Sequence, residues 1–222
     1  MPAHGPAYRI VTERLVLRCW DPRDAEPLKL AIDASRDQLV PWLAWARDEP
    51  LSLDSRIESL RRTRAKFDLD KDYAYAIFDR EERTLIGGCG LHERGHAEAR
   101  EVGYWIATAH VGQGFGLEAA AALVRVAFEL ERLARVEIHC DEGNTRSASI
   151  PRKLGFRHDA TLRGQSLRAD GTGAGRMVWT LFAAEYEDSP SSRAPTEAFD
   201  AGGRQILEPP PPPSTRRRSL LR

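Results

Sequence analysis

The chain is short of cysteine, of net charge and of any long apolar run. Cysteine occurs at positions 19, 89 and 140 only, an odd number with no Cys-x-x-Cys spacing. That argues against both a disulfide framework and a zinc site. Each of Cys19, Cys89 and Cys140 lies in an apolar, strand-like stretch and reads as a small buried hydrophobe. Lysine plus arginine number 33, as do aspartate plus glutamate, so no net field draws the chain to nucleic acid or to an anionic membrane. No apolar stretch approaches membrane-spanning length, and the opening MPAHGPAYRI lacks a signal core; the expectation is a soluble cytoplasmic protein. No internal repeat is visible. What the 222 residues do have is 41% apolar content, enough for one packed domain with chain to spare.

The spare chain is expected at the C-terminus. From Asp188 to Arg222 the sequence carries Pro190, Pro195 and the run Pro209 to Pro213, and it ends in Arg216, Arg217, Arg218 and Arg222. Such composition predicts a disordered tail over 188–222 with polyproline character, whose removal leaves folding and cofactor binding unchanged. Residues 1–187 read as one mixed domain. Arg14 to Trp20 alternates as a strand, and a helix follows to Ile32, opened by Asp21 and Pro22. Ser52 to Asp68 is a charged amphipathic helix. Strands are predicted at 73–78, 84–91 and 101–106, the first two joined by a polar hairpin loop. A helix over 114–130, a strand over 136–140 and a short helix over 145–154 follow, the last stopped by Gly155 and disturbed by Pro151. Two closing strands, near 156–167 and 175–181, pair around Asp170-Gly171.

The chemistry concentrates where the 101–106 strand runs into a turn containing Gly112, Gly114 and Gly116 and a helix starts at once. Glycines there let backbone N–H groups approach a ligand, and the first N–H groups of the helix lack internal partners at the positive end of its dipole. Together they form an anion cradle, although a turn that merely caps a helix has the same look. A dinucleotide fingerprint would need glycine where Leu117 stands. A P-loop would need a lysine, and none occurs between Lys71 and Lys153.

Three further stretches give this turn a context. Gly114-Phe-Gly116 resembles the core of the pyrophosphate-binding motif of the GNAT acetyltransferases, with Val111 in place of that motif's usual first Gln or Arg. Asn144-Thr-Arg-Ser147 followed by Leu154-Gly155-Phe156 is similar to a second signature of the family, and Thr12 to Arg18 and Glu101 to Trp105 resemble strands of its Rim-type branch, the ribosomal-protein N-terminal acetyltransferases. The matches fall in order over about residues 8–187. The resemblance implies an α/β (α+β) GNAT fold: a mixed central sheet with flanking helices and two splayed strands, 101–106 and 136–140, that admit the pantetheine of acetyl-CoA. It also implies direct acetyl transfer to a primary amine within a ternary complex.

Under that resemblance, backbone groups of Ile106, Ala107 and Thr108 hold the pantetheine, and the turn Val111, Gly112, Gln113, Gly114, Phe115, Gly116 holds the pyrophosphate. Asn144 reaches the pantetheine or simply caps its helix, and Ser147 protonates the departing thiolate. An α-amine with pKa ~8 needs less help to lose its proton than a lysine at ~10.4, so a carboxylate base suffices; Glu101 and Asp159 are the candidates. His92 and His110 are possible shuttles but read more simply as structural histidines, and Cys140 has no evident base partner for a covalent role. Trp42 and Trp45, three apart, are expected to share a helical face, lining either the acceptor groove or a core or dimer interface. No metal is expected. The acceptor is expected to be a peptide or protein N-terminus, with a small amine or a non-catalytic acetyl-CoA-binding module as alternatives. A homodimer is possible within this reading.

Overall fold

The computed structural model describes residues 5–94, 98–168 and 171–211. The chain runs β1 (Arg9–Val11), β2 (Leu15–Cys19), α1 (Ala25–Asp33), α2 (Arg36–Leu39), α3 (Leu53–Asp68), β3 (Tyr73–Asp79), β4 (Leu85–His92), β5 (Ala99–Ile106), α4 (Phe115–Glu129), β6 (Arg135–Asp141), α5 (Thr145–Lys153), β7 (Arg157–Leu167), β8 (Gly173–Phe182), α6 (Ala183–Tyr186), β9 (Glu197–Phe199) and β10 (Gln205–Leu207). The strands form one sheet in the order β10-β9-β1-β2-β3-β4-β5-β6-β8-β7. Among its described neighbours only β5 and β6 are parallel.

Strand alternation divides the core into two layers. Tyr73, Tyr75 and Ile77 of β3 pack with Val102, Ile138 and the apolar face of α4. Ala74, Ala76 and Phe78 face the other way, with Trp105, against α1 and α3 through Leu28, Ile32 and Leu60. In α4, Ala119 to Ala122, Leu123 and Val124 are all buried, which is why the segment reads as strongly helical and apolar.

The expected elements from β2 to β8 are present within a residue or two of their anticipated ends, except that α1 begins at Ala25, after a 3-10 turn over Pro22–Asp24. Asp170 lies outside the described residues; beside it, Gly171 adopts φ +84° and Arg168 N donates to Thr172 O at 2.9 Å, closing the β7–β8 turn.

The expectation for the tail does not hold where the chain is described. Residues beyond Asp188 turn back onto the domain: β9 pairs antiparallel with β1, and β10 with β9. Arg125, 4% exposed in the middle of α4, explains the docking. Its Nη1 donates to the carbonyls of Ala194 (3.2 Å) and Thr196 (3.0 Å), its Nη2 to that of Glu208 (2.6 Å), and its Nε to Glu129 (2.8 Å). A guanidinium buried there needs those acceptors. Arg216, Arg217, Arg218, Arg222 and the end of the proline run lie outside the described residues.

One buried carboxyl ties α4 to the parallel pair. Glu131 follows α4 and meets Arg100 of β5 at 3.3 Å. Burial raises its pKa from 4.5 to about 7, only partly offset by Arg100. A raised carboxyl pKa means that the unfolded chain ionises first as pH rises. Stability should therefore fall from about pH 4.5 to about pH 7 and level off above, by about 3 kcal/mol for this group. Urea denaturation of Glu131→Gln across that range should lack this slope; an unchanged slope would remove Glu131 as its source.

Candidate active site

The parallel pairing of β5 and β6 begins at Ala99 with Arg135 and ends at Glu101 with Glu137. Beyond that point β5 stays with β4 as far as Ile106, and β6 stays with β8 as far as Asp141. The strands therefore splay, and the facing edges of 102–106 and 138–141 make no ladder bonds to each other. Backbone polar groups on such edges require another partner. An extended chain carrying amides can supply it.

The glycine turn lies beyond the end of β5. Gly112 and Gly114 adopt φ +80° and +85°, and Gly114 is the N-cap of α4. The first helical bond runs from Glu118 N to Gly114 O at 3.1 Å, which leaves the N–H groups of Phe115, Gly116 and Leu117 ahead of the ladder. Gly116 serves packing instead. A Cβ there would stand 3.3 Å from Ile150 and 3.5 Å from Ile106, so its smallness lets α4 approach β5 and α5. Arg14 fastens the turn. Its Nη1 donates to Gln113 O at 2.9 Å, its Nε to Glu118 at 2.7 Å, and its guanidinium lies 4.6 Å over the Phe115 ring. Glu118, an acid in the first helical turn, is thus held by Arg14 and by Thr12 Oγ1 at 2.6 Å. Neither Arg14 nor Glu118 stood out in the sequence, because they are 104 positions apart.

Three of the backbone groups expected at Ile106, Ala107 and Thr108 bond within the protein. Ile106 O accepts from Gln38 Nε2 (3.2 Å), Ala107 N donates to Ile86 O (2.9 Å), and Thr108 N donates to Ser35 Oγ (2.9 Å). The first and third anchor the α1–α2 corner beside the splay, the second continues the pairing with β4, and the free edge of β5 runs up to Ile106.

Across the gap, Asn144 caps α5, its Oδ1 accepting from Ser147 N at 3.1 Å. Pro151 sits inside α5 and cannot donate to the carbonyl four residues back. That carbonyl belongs to Ser147 and is taken instead by Tyr104 OH at 3.2 Å; the Ser147 hydroxyl is also 3.2 Å from the same phenol. Burial raises the pKa of Tyr104 and also that of Cys140, where the Ser147 side chain works the other way. Three protonated groups therefore converge where the strands part. Tyr104 was legible as a strand residue but not as part of this cluster.

On the α1–α3 face, a cavity of about 450 Å³ is lined by Trp20, Trp45, Trp105, His92, Glu101 and Tyr104, among others. Trp45 packs edge-on against Trp105 at 6.0 Å. Trp42 and Trp45 do not share a helical face: Leu43 is extended between them, so Trp42 turns to the β6–α5 loop, 3.7 Å from the Cβ position of Gly143, while Trp45 enters the cavity. Both are 40% exposed. Glu101 faces the cavity with Oε2 held by Arg94 Nε at 3.0 Å and 3.5 Å from His139 Nδ1. The other expected carboxylate, Asp159, is exposed at a bulge on edge strand β7, separated from β6 by β8. It does not join Glu101. His110 packs near Phe115 at the turn. Among the described residues no cluster has the makings of a metal site, and no helix is long and apolar enough to cross a membrane.

The family model of the acetyltransferase (GNAT) domain matches residues 14–157, and the chain belongs to that family. It is 31% identical over 182 residues to YdaF of Bacillus subtilis, whose name carries a provisional ribosomal N-acetyltransferase function; the match spans 80% of this chain and 96% of that one. It is 28% identical to the [ribosomal protein uS5]-alanine N-acetyltransferase of Escherichia coli, over 68% of this chain and 79% of that one. Among solved structures, RimL, a ribosomal L7/L12 α-N-protein acetyltransferase in complex with coenzyme A, superposes with a TM-score of 0.71 at 18% identity, covering 78% of this chain and 96% of that one. The protein is an N-acetyltransferase and acetyl-CoA is its cosubstrate. The splayed edges suit the amides of pantetheine, and the N–H groups at the start of α4 suit a pyrophosphate.

Proposed function

We propose that this enzyme acetylates the N-terminal α-amine of a protein or peptide. The observation that carries this reading is the cavity on the α1–α3 face, which is walled by tryptophans and is not strongly acidic. Arg56, Arg94 and His92 line it together with Glu101, and Arg56 is a buried partner of Glu49. A polycation such as a polyamine or aminoglycoside wants a strongly acidic groove; a peptide terminus needs apolar walls for its first side chains and little charge. The relatives that act on ribosomal proteins support the same choice of acceptor.

In this reading the amine enters from the tryptophan side and the thioester lies in the splay. Gly112 to Gly116 hold the pyrophosphate, and the free edge of β5 holds the pantetheine. Asn144 orders the start of α5, which sets Ser147 beside the sulfur. The hydroxyls of Ser147 and Tyr104 supply the proton that the departing thiolate takes up. Trp42 and Trp45 flank the entrance. Glu101, already tied to Arg94, attracts the incoming ammonium. Asp159, on the far edge strand, has no part.

The reading is tested by mass spectrometry of the protein mixed with acetyl-CoA and two peptide sets, one with free N-termini and one N-blocked with an internal lysine. Acetylation of the free termini only is the expected result. Modification of lysine alone would redirect the substrate class, and no modification of either set would defeat the proposal.

A further inference from the structure

His92 sits at the end of β4, and its surroundings are built around its ring. A Cβ at Gly90 would lie 2.5 Å from His92 Cε1 and 2.6 Å from Nε2, and one at Gly103 would lie 3.2 Å from Nε2. Two neighbouring strands therefore carry glycine where the imidazole lies flat on the sheet. Its Nδ1 is 2.7 Å from Asp72 Oδ1. Burial works against charge on Asp72, yet the hydrogen bond and charge of His92, with Arg94 and Lys66 beyond, hold its pKa below the ordinary value. An ionised carboxylate can only accept, so Nδ1 carries a proton, and in the neutral ring the lone pair is then on Nε2. No described group bonds Nε2, and His92 lines the same cavity as Glu101, Tyr104 and Trp105. Glu101 is its register partner on β5.

We infer that the Asp72–His92 pair is the general base of the reaction, with His92 Nε2 accepting the proton of the acceptor's ammonium and Asp72 acting as its positioning residue. The inference rests on the acetyl-transfer reading of this site and names the proton acceptor within it. Glu101 is a weaker candidate because Oε2 is already bonded to Arg94.

The balance is simple. The ammonium gives one proton to Nε2, the free amine attacks the thioester carbonyl, the N–C bond forms and the C–S bond breaks. After attack the nitrogen's second proton passes through solvent to the Ser147–Tyr104 hydroxyls, replacing the one they give to the departing thiolate, so CoA leaves as the thiol. His92 returns its proton to solvent, so one proton is released per turnover. The charged and titratable groups around the ring are Asp72 on the β3 side, Arg94 after β4, Glu101 on β5, His139 on β6 beyond it, and Arg56 and Lys66 on α3.

The test is the pH profile of kcat/KM with acetyl-CoA and a free-N-terminal alanine or serine peptide, for the wild type, His92→Gln, Asp72→Asn and Glu101→Gln. Asp72→Asn keeps shape but presents a donor to Nδ1, which moves the proton to Nε2 and removes the base. Both His92→Gln and Asp72→Asn should lose about 10²-fold at pH 6.5, in the range of general-base effects. The loss should shrink above about pH 8.5, where an α-amine with pKa ~8 is free without help. CoA affinity, measured by calorimetry, should stay within about threefold. A structural defect would instead lower activity equally at every pH. Nitrogen-15 spectra of the labelled histidines should show the Nδ1–H tautomer for the resonance missing in His92→Gln.

An active wild type with pH-independent losses, no losses, or the pH-dependent loss only in Glu101→Gln overturns the base assignment and leaves the acetyltransferase reading standing. The Nε2–H tautomer at His92 overturns it without reference to activity. A wild type that acetylates no amine defeats both readings.

Discussion

A chain ended after Glu187 is expected to lose most of its stability, compared with one ended at Pro211 that keeps every contact described for the C-terminal segment. The cut removes β9, leaving β1 an open edge at Arg9, Ile10 and Val11, and it uncovers Ile10, which is fully buried. It also strips three carbonyl acceptors from Arg125 and opens that side of α4 to water. Hydrogen bonds to a charged group are worth about 1.5–3 kcal/mol each, and the lost burial of Leu207 adds about 1.5–3 kcal/mol. Against a total stability of about 5–15 kcal/mol, the melting temperature should fall by about 10–20 °C. The consequence reaches the site. Ser189 and Pro190 pack against Gly155, where a Cβ would stand 3.1 Å from Pro190, and Gly155 ends the helix that carries Ser147. Thermal unfolding followed by circular dichroism decides the matter; equal melting temperatures would mean that the segment rides on the domain without supporting it.

That segment shows what kind of information the sequence withheld. Strands β2 to β8 were legible because each repeats its apolar pattern over five residues or more, and the α4 turn was legible because its three glycines stand together. Strands β9 and β10 are three residues each, too short to show a period, and they sit among prolines and glycines that mimic a disordered composition. The signal that could have found them was Arg125 itself, a charge set among Leu123, Val124 and Val126, which demanded distant acceptors. The site divides in the same way. The turn follows from a local motif, and the splay, Asn144 and Ser147 from the family resemblance. The Arg14–Glu118 clamp and the Asp72–His92 pair depend on register between strands and helices far apart in the chain. Gly90 and Gly103 read as weak strand residues until the imidazole that fills their space is in place. Trp42 and Trp45 were paired by spacing alone, and a single extended residue, Leu43, sends them to different walls. Asp159 fell to the same limit: spacing from Phe156 could not show that β8 would insert between β6 and β7.

The glycine turn proposed to hold the pyrophosphate makes a sharper demand on one residue than on its neighbours. Gly114 combines φ +85° with the N-cap position and is exposed, so a side chain there meets backbone strain and little else apart from Arg14, 3.4 Å from the Cβ position. Valine at this position costs at least about 1–2 kcal/mol in the left-handed region, relieved only if the turn opens. Opening moves the N–H groups of Phe115 and Gly116 and loosens the Arg14 bond to Gln113 O. If two charge-assisted hydrogen bonds to the pyrophosphate are lost, at about 1.5–3 kcal/mol each, CoA affinity should fall on the order of 10²-fold or more. The fold should lose only a few degrees of melting temperature, because nothing in the core contacts this glycine. Calorimetric titration of Gly114→Val with CoA measures the first quantity. Acetyl-pantetheine supplies the control: it carries the thioester without the pyrophosphate, so its kcat/KM should be nearly the same for the variant and the wild type. A loss shared equally by both substrates would place the damage in the splay. A CoA affinity within about threefold of the wild type would reduce the turn to a helix cap.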